Sequence, residues 1–342
     1  MKSIYLVQCG DSNTAFEMRK EKDPAPGAGE VLIEVEASGL NFADVLARRG
    51  FYPDAPSMPC VLGYEVVGKV LDVDGEVKKL SPGDRVLAFT RFGGYASKVV
   101  AHSAAVVKIP EKMPAGVATA LATQYCTAWY AAEEMVRLQT GDHVLIQAGA
   151  GGVGTALVQI AKRRGCVIFA TASSQTKLDY LKSQGVDHPI NYRKKDFARE
   201  VRSISGNRGL DVVFDSIGGK TFRKGYSLLA SGGRIVAFGV AGMTGNRRNF
   251  FRILRTVLGF GLFHGLALIS NSKSVLGVNM LRIAENKPDV LQRCMAAVMK
   301  LARKKELNPK VGGEYPADRV AEAHEFLEMR KSTGKIILEW SG

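Results

Sequence analysis

The chain has 342 residues, 46% of them hydrophobic and 23% charged, which suits a globular protein of two domains at roughly 100–200 residues each. No apolar run reaches the ~18–20 residues of a membrane span, and Asp11, Glu17 and Arg19 interrupt the place of a signal-peptide core, so a cytoplasmic protein is expected. The net charge of +14 favours an anionic partner, but the basic residues are spread along the chain without a nucleic-acid-binding motif; a solvated basic surface, a phosphorylated cofactor or anionic lipid is expected before nucleic acid.

Residues 1–120 read as β-rich. The run Glu30 to Ala37 alternates at period two, as a half-buried strand does, and "VVGKVLDV", "DRVLAF" and "YASKVVAHSAAVVKIP" continue the theme between Gly and Pro turns such as Ser81-Pro82-Gly83-Asp84. After about residue 122 the pattern changes. His143 to Ala148 is a short apolar run fit for a buried parallel strand, and "TALVQIAKRR" follows with helical spacing. "CVIFATA", "DVVFDSI" and "RIVAFG" then read as strands, alternating with the helical "QTKLDYLKSQ", "FAREVRSIS" and "TFRKGYSLLA". Such alternation predicts right-handed βαβ units and a doubly wound parallel sheet. Residues 246–270 begin basic and turn apolar: Arg247, Arg248, Arg252 and Arg255 interleave with Phe250, Phe251, Ile253 and Leu254. That piece fits a cleft cover or a dimer contact, or an amphipathic surface resting weakly on an anionic membrane. Amphipathic helices are expected over Val290 to Lys304 and Ala317 to Met329, with "GKIILEW" as a last strand. Cys9, Cys60, Cys126, Cys166 and Cys294 are scattered, with no C-x-x-C pair, and no H-x-x-x-H pair exists, which argues against a disulfide framework and a structural metal.

The chemistry-bearing motif is Gly149-x-Gly151-x-x-Gly154, which follows a predicted strand and opens a predicted helix. One glycine makes the tight turn, one lets backbone approach a pyrophosphate, and Gly154 allows close helix–strand packing; Ala148, Gly152 and Val153 complete the loop. A pyrophosphate placed there meets the free N–H groups and positive dipole of the helix start. The second strand ends Ala170-Thr171-Ala172-Ser173-Ser174 without the acid that holds a ribose 2′-hydroxyl in NAD enzymes. Ser173, Lys177, Tyr192 and Arg193 suit a 2′-phosphate instead, so NADPH is expected; Lys177 also fits a solvent-exposed helix lysine.

The motifs "ASGLNFADVLARRGFYP", "GYEVVGKV", "GGYAS", "AGAGGVGTALVQIAK", "HPINY" and "GKIIL" resemble the quinone oxidoreductase branch of the medium-chain dehydrogenase/reductase superfamily over nearly the whole chain. "NYRKKDFAREVRSIS", "KGYSLL" and the insert after Gly242 resemble its VAT-1-like group. The resemblance implies an α/β fold: a Rossmann domain (residues 123–271, carrying the 246–270 insert) placed within a β-rich GroES-like catalytic domain (residues 1–122 plus 272–342), usually as a homodimer. Where zinc alcohol dehydrogenases of that superfamily place their catalytic ligands, this chain carries Asn41, Tyr64 and Thr123, which implies the zinc-free branch. Without a Lewis acid, hydride addition to a quinone or an α,β-unsaturated carbonyl is the expected reaction.

The candidate catalytic residues are Asn41, Asp44 and Tyr52. Asn41 has an amide to offer cofactor or substrate, Asp44 lies three residues on, and Tyr52 matches by resemblance the acid of enoyl reductases. Asn41 and Asp44 equally fit a helix cap, and Tyr52 a wall of the cleft. Thr123 and Gln124 are expected on the nicotinamide side, and the resemblance adds Phe238, Gly239, Gly277 and Val278. The competing expectation is an NADPH-binding, membrane-associated or lipid-handling protein with little catalytic activity.

Overall fold

The computed structural model describes residues 1–243, 254 and 257–340. The arginine row at Arg247, Arg248, Arg252 and Arg255, with Phe250, Phe251 and Ile253, therefore lies outside the described residues.

Two sheets carry the molecule. The first half begins with β1 (Lys2–Leu6), β2 (Phe16–Lys20), β3 (Glu30–Leu40), β4 (Cys60–Val61), β5 (Glu65–Val73), β6 (Arg85–Phe89), β7 (Lys98–His102) and β8 (Val106–Lys108). The single strand-like stretch expected at residues 95–110 is broken by a turn of 3₁₀ helix at Ser103–Ala105, so it supplies two strands. β3 sits at the centre of the larger sheet, antiparallel to β5, β7 and the last strand, β16 (Lys335–Glu339). Its alternation points Val31, Ile33 and Val35 into a core shared with Ile4, Leu6, Val66, Val86 and Leu338.

The second half is a six-stranded parallel sheet in the order β11-β10-β9-β12-β13-β14. Its strands are β9 (His143–Ile146), β10 (Val167–Ala172), β11 (His188–Asn191), β12 (Leu210–Asp215), β13 (Leu229–Ala237) and β14 (Ser274–Gly277). The order reverses beside β9, so a ligand crevice opens at the carboxyl ends of β9 and β12. Helices cover both faces: Gly152–Arg163 packs with Val144, Ile146 and Phe214 on one, Phe197–Ser205 with Leu145, Phe169 and Val213 on the other. β14 lies beyond residue 271 and joins this sheet, because Val275 and Leu276 pair with Ile235 and Val236. A short strand beyond a long apolar insert carries no periodicity that assigns it to either domain. The chain rejoins the catalytic sheet at β15 (Val311–Pro316), after a helix, Pro288–Arg303, whose Val290, Leu291, Cys294, Met295 and Val298 stripe packs into the main core.

Between the two sheets runs a helical stretch that carries no periodic signal in its residues. Ala115–Ala120 passes into a π-helical segment, Leu121–Tyr125, then Cys126–Trp129 and a second π-helical segment, Tyr130–Met135. π-segments occur frequently at functional sites, and this one carries Thr123 and Gln124.

Candidate active site

The dinucleotide loop leaves β9 through Ala148, a non-glycine residue held at φ 52°, and enters the helix at Gly152 with Gly151 as N-cap. The three glycines are crowded to different degrees. A Cβ on Gly154 would stand 2.3 Å from the Ala148 carbonyl oxygen, so the helix start presses directly on the strand end. A Cβ on Gly149 would meet Ala170 Cβ at 2.8 Å. On Gly151 it would meet only the Ala148 oxygen, at 3.2 Å, a milder crowding than at its two neighbours in the motif. Gly152 has the opposite constraint, because the Gln124 amide lies within 2.2 Å of where its Cβ would be. Val153 is partly buried against the main core.

At the adenosine end, Ser173 follows β10, and Ser174 caps the helix Gln175–Ser183. Tyr192 follows β11 and donates its backbone N–H to the Ala172 carbonyl at 3.2 Å. Lys177 is not a solvated helix lysine. It is half-buried, and its Nζ donates to the Arg330 carbonyl at 2.8 Å. Burial, then the positive charges of Arg193 and Arg330, pull its pKa below the ordinary lysine value. Lys177, Arg193 and Arg330 thus bring three positive charges near one another, a combination that favours a multiply charged anion. Arg330 was invisible to sequence reasoning: it lies past the end of the helix Val320–Glu328, held at φ 57°, with its guanidinium donating to the Ala241 carbonyl at 3.1 Å.

Toward the catalytic sheet the polar groups form one connected cluster. Asn41 opens the helix Phe42–Arg48, and its Nδ2 donates to both Glu65 oxygens, at 2.8 and 3.0 Å. Thr123 Oγ1 donates to the same carboxylate. Lys335 Nζ donates to the Leu40 carbonyl and to Asn41 Oδ1, each at 3.1 Å, and pairs with Glu65. Glu65 and Lys335 are both wholly buried. Asn41 and Thr123 are thereby oriented by a buried ion pair, and Gln124 extends the cluster to Gly152. Gly334, next to Lys335, donates its N–H to the Ala150 carbonyl at 3.0 Å, so one short segment ties cofactor loop and catalytic sheet together.

Asp44 takes the helix-cap role. Its Oδ2 accepts from the Asn41 N–H at 2.8 Å, and the side chain has no exposure. Burial, reinforced by the Glu65 charge and opposed by the Asn41 N–H, pushes its pKa up to about 7. Tyr52, half-buried, meets the Tyr64 ring edge-on at 6.2 Å, and Phe92 lies 5.3 Å from Tyr64 on the other side. Tyr64 had entered the sequence reading only as a missing zinc ligand. Its buried hydroxyl lies within interaction range of the Tyr52 hydroxyl, so the two phenols form a pair. Burial raises the pKa of both phenols, so both keep their protons. Opposite them, Phe238 donates its N–H to the Asp215 carbonyl at 3.0 Å and Val278 to that of Ala237 at 2.8 Å. Gly239, whose Cβ would lie 3.0 Å from the Ser216 oxygen, completes this edge beside Gly277.

This pairing of domains is matched by known proteins. Residues 27–111 match the alcohol dehydrogenase GroES-like domain, and residues 152–296 the zinc-binding dehydrogenase family. The synaptic vesicle membrane protein VAT-1 homolog of Danio rerio is 36% identical over 98% of this chain and 69% of its own length. The chain belongs to the medium-chain dehydrogenase/reductase superfamily, in its VAT-1-like group. Among solved structures, Escherichia coli quinone oxidoreductase complexed with NADPH superposes with a TM-score of 0.88 at 26% identity, covering 99% of this chain and 100% of that one. CurK enoyl reductase superposes with a TM-score of 0.86 at 27% identity, covering 99% and 98%. The Rossmann and GroES-like assignments therefore hold for this VAT-1-like member, and among its described residues no helix is long and apolar enough to cross a membrane.

Proposed function

We propose that the chain is an NADPH-dependent reductase that adds hydride to a quinone or an α,β-unsaturated carbonyl without zinc. The observation that carries this reading is the conjunction of the tightly packed Gly149–Gly154 loop at a helix start, the neighbouring positive charges of Lys177, Arg193 and Arg330, and the Tyr52–Tyr64 phenol pair of the catalytic domain. NADPH, when bound, supplies the hydride. Gly149, Gly151, Gly152, Val153 and Gly154 would hold its pyrophosphate, and Ser173, Lys177, Tyr192, Arg193 and Arg330 its 2′-phosphate. Asn41, Thr123, Phe238 and Gly239 would line the nicotinamide side.

The chain's own residues then position and protonate the acceptor. Tyr64 and Tyr52 retain their protons at neutral pH, so either can donate a hydrogen bond to an acceptor oxygen, and Tyr52 can give up the proton that accompanies the hydride. Asn41 and Asp44 act earlier in this chain of effects: one has its amide fixed by Glu65 and Lys335, and the other holds the helix start. The same arrangement disfavours zinc. The would-be ligands are an amide, a phenol and a hydroxyl rather than thiolate or imidazole, and the amide and hydroxyl are already bonded to a Glu65 carboxylate paired with Lys335.

The test is NADPH and NADH oxidation by purified protein against a panel of quinones and enones, with and without a chelator. Chelator-insensitive turnover with NADPH preference is the expected result; silence across the panel, or loss of activity with chelator, would overturn the reading.

A second reading has its own observation. Val257, Leu258, Leu262, Leu266 and Ile269 are 57%, 64%, 97%, 71% and 77% exposed, an apolar row unusual on a free surface. With the neighbouring arginines of the sequence, it supports a weak contact with anionic membrane and a lipid-handling role with little catalysis. Co-sedimentation with anionic vesicles tests it, and absence of binding removes it. The homodimer implied by the resemblance is also proposed, and light scattering reads it directly.

A further inference from the structure

The turn that carries Tyr52 is fastened across the cleft to the other domain. Residues 52–55 close on themselves through the Ala55 N–H, which donates to the Tyr52 carbonyl at 3.2 Å. Asp54, inside that turn, is only 11% exposed. It accepts from Asn279 Nδ2 at 3.0 Å and pairs with Arg282. Both partners belong to the start of the helix Met280–Asn286, which leaves the parallel sheet immediately after β14 and Val278. The Asn279 amide has one possible orientation: its Oδ1 caps the helix by accepting from the Leu281 and Arg282 N–H groups, at 3.1 and 3.3 Å, which directs its NH₂ at Asp54. One turn along the same helix, Glu285 pairs with Arg91, the neighbour of Phe92. In both pairs the arginine is exposed; the inner one differs in that its carboxylate is largely covered and hydrogen-bonded on both oxygens.

We propose that Asp54 is a positioning residue: clasped by Asn279 and Arg282, it holds the Tyr52 turn of the catalytic domain against the nicotinamide side of the cofactor domain, so that domain closure and placement of the Tyr52 phenol are one event. The charges of Asp54 and Arg282 both reach the Tyr52 hydroxyl, in opposite senses, which agrees with that proximity. The inference rests on the reductase reading only for its kinetic consequence, since the clasp itself is a contact between domains. Displacing a proton donor by about an ångström costs up to roughly a hundredfold in rate, so a loosened turn has a large expected effect on kcat and a small one on cofactor affinity.

The experiment uses the full chain with Asn279→Asp, Asp54→Asn and the exchange of both. Asn279→Asp keeps a helix-capping oxygen but sets a carboxylate against Asp54; the double variant restores one amide facing one carboxylate. Hydrogen–deuterium exchange at Ala55 and over the start of the 280–286 helix should speed up together in each single variant and return toward wild type in the double. The kcat for the best acceptor should fall roughly tenfold with NADPH binding unchanged, and recover likewise. If Ala55 exchange in Asn279→Asp stays at the wild-type rate, or the double variant is no better than the singles, the clasp is wrong. If exchange responds as expected while no variant, nor wild type, reduces any acceptor, the clasp stands and the reductase reading fails.

Discussion

Lys335 and Glu65 show how much one residue decides here. Both are fully buried, and their ion pair is joined by Asn41, Thr123 and the Leu40 carbonyl. Removing one partner of such a pair leaves a buried charge uncompensated, so Lys335→Met is expected to lose about 3–5 kcal/mol of stability, while Glu65→Gln with Lys335→Met loses much less. Urea unfolding of the three proteins measures both. Asp44 gives a pH signature. Its pKa is raised from 3.8 to about 7, so between those values the folded protein holds a proton that the unfolded chain has released. That contribution is present at low pH and is lost as pH rises through the window. Asp44→Asn should therefore gain stability relative to wild type as pH rises from about 4 to about 7, and unfolding across that range would show it. At this scale the sequence was legible in part. Asp44 was readable as a cap from its spacing to Asn41, whereas Lys335 looked like an ordinary residue of a last strand, because nothing local records a partner 270 positions away.

At the scale of elements, the loop between β9 and its helix separates binding from folding. A methyl at Gly154 would stand 2.3 Å from a backbone oxygen, so Gly154→Ala is expected to destabilise the domain by about 1–3 kcal/mol or more. A methyl at Gly151 would be less crowded, 3.2 Å from the Ala148 oxygen, so Gly151→Ala should destabilise less than Gly154→Ala and yet lose more NADPH affinity, because the methyl occupies the approach of the pyrophosphate. Thermal melts beside fluorescence titration with NADPH distinguish the two; equal effects of both variants on both readouts would refute the assignment. The strands and helices of residues 143–237 were readable from period and turn chemistry, since each element there is short and locally consistent. The π-segment at Leu121–Tyr125 was not, because its geometry is imposed by packing between two sheets and has no periodic signature.

The proposed 2′-phosphate site draws on three distant places in the chain. Lys177 comes from the helix after β10, Arg193 from beyond β11, and Arg330 from the chain's return to the catalytic domain. Arg330→Ala is expected to weaken NADPH binding by about 1.5–3 kcal/mol, roughly tenfold to a hundredfold, and leave NADH affinity nearly unchanged. Titration with both cofactors checks it, and an equal loss for both would place Arg330 elsewhere than at the 2′-phosphate. By itself the sequence determined the two sheets, the loop that receives a dinucleotide, the missing acid that selects against NAD, and the absence of thiolate and imidazole where zinc relatives carry them. Each of these is written in neighbouring residues, through period, glycine spacing or chemical type. Only the tertiary structure decided that Lys335 anchors Asn41, that Arg330 joins Lys177, that Tyr64 packs against Tyr52, and that β14 belongs to the parallel sheet. Those are meetings between residues far apart in the chain, and burial, charge pairing and strand register come into being only when the two domains fold against each other.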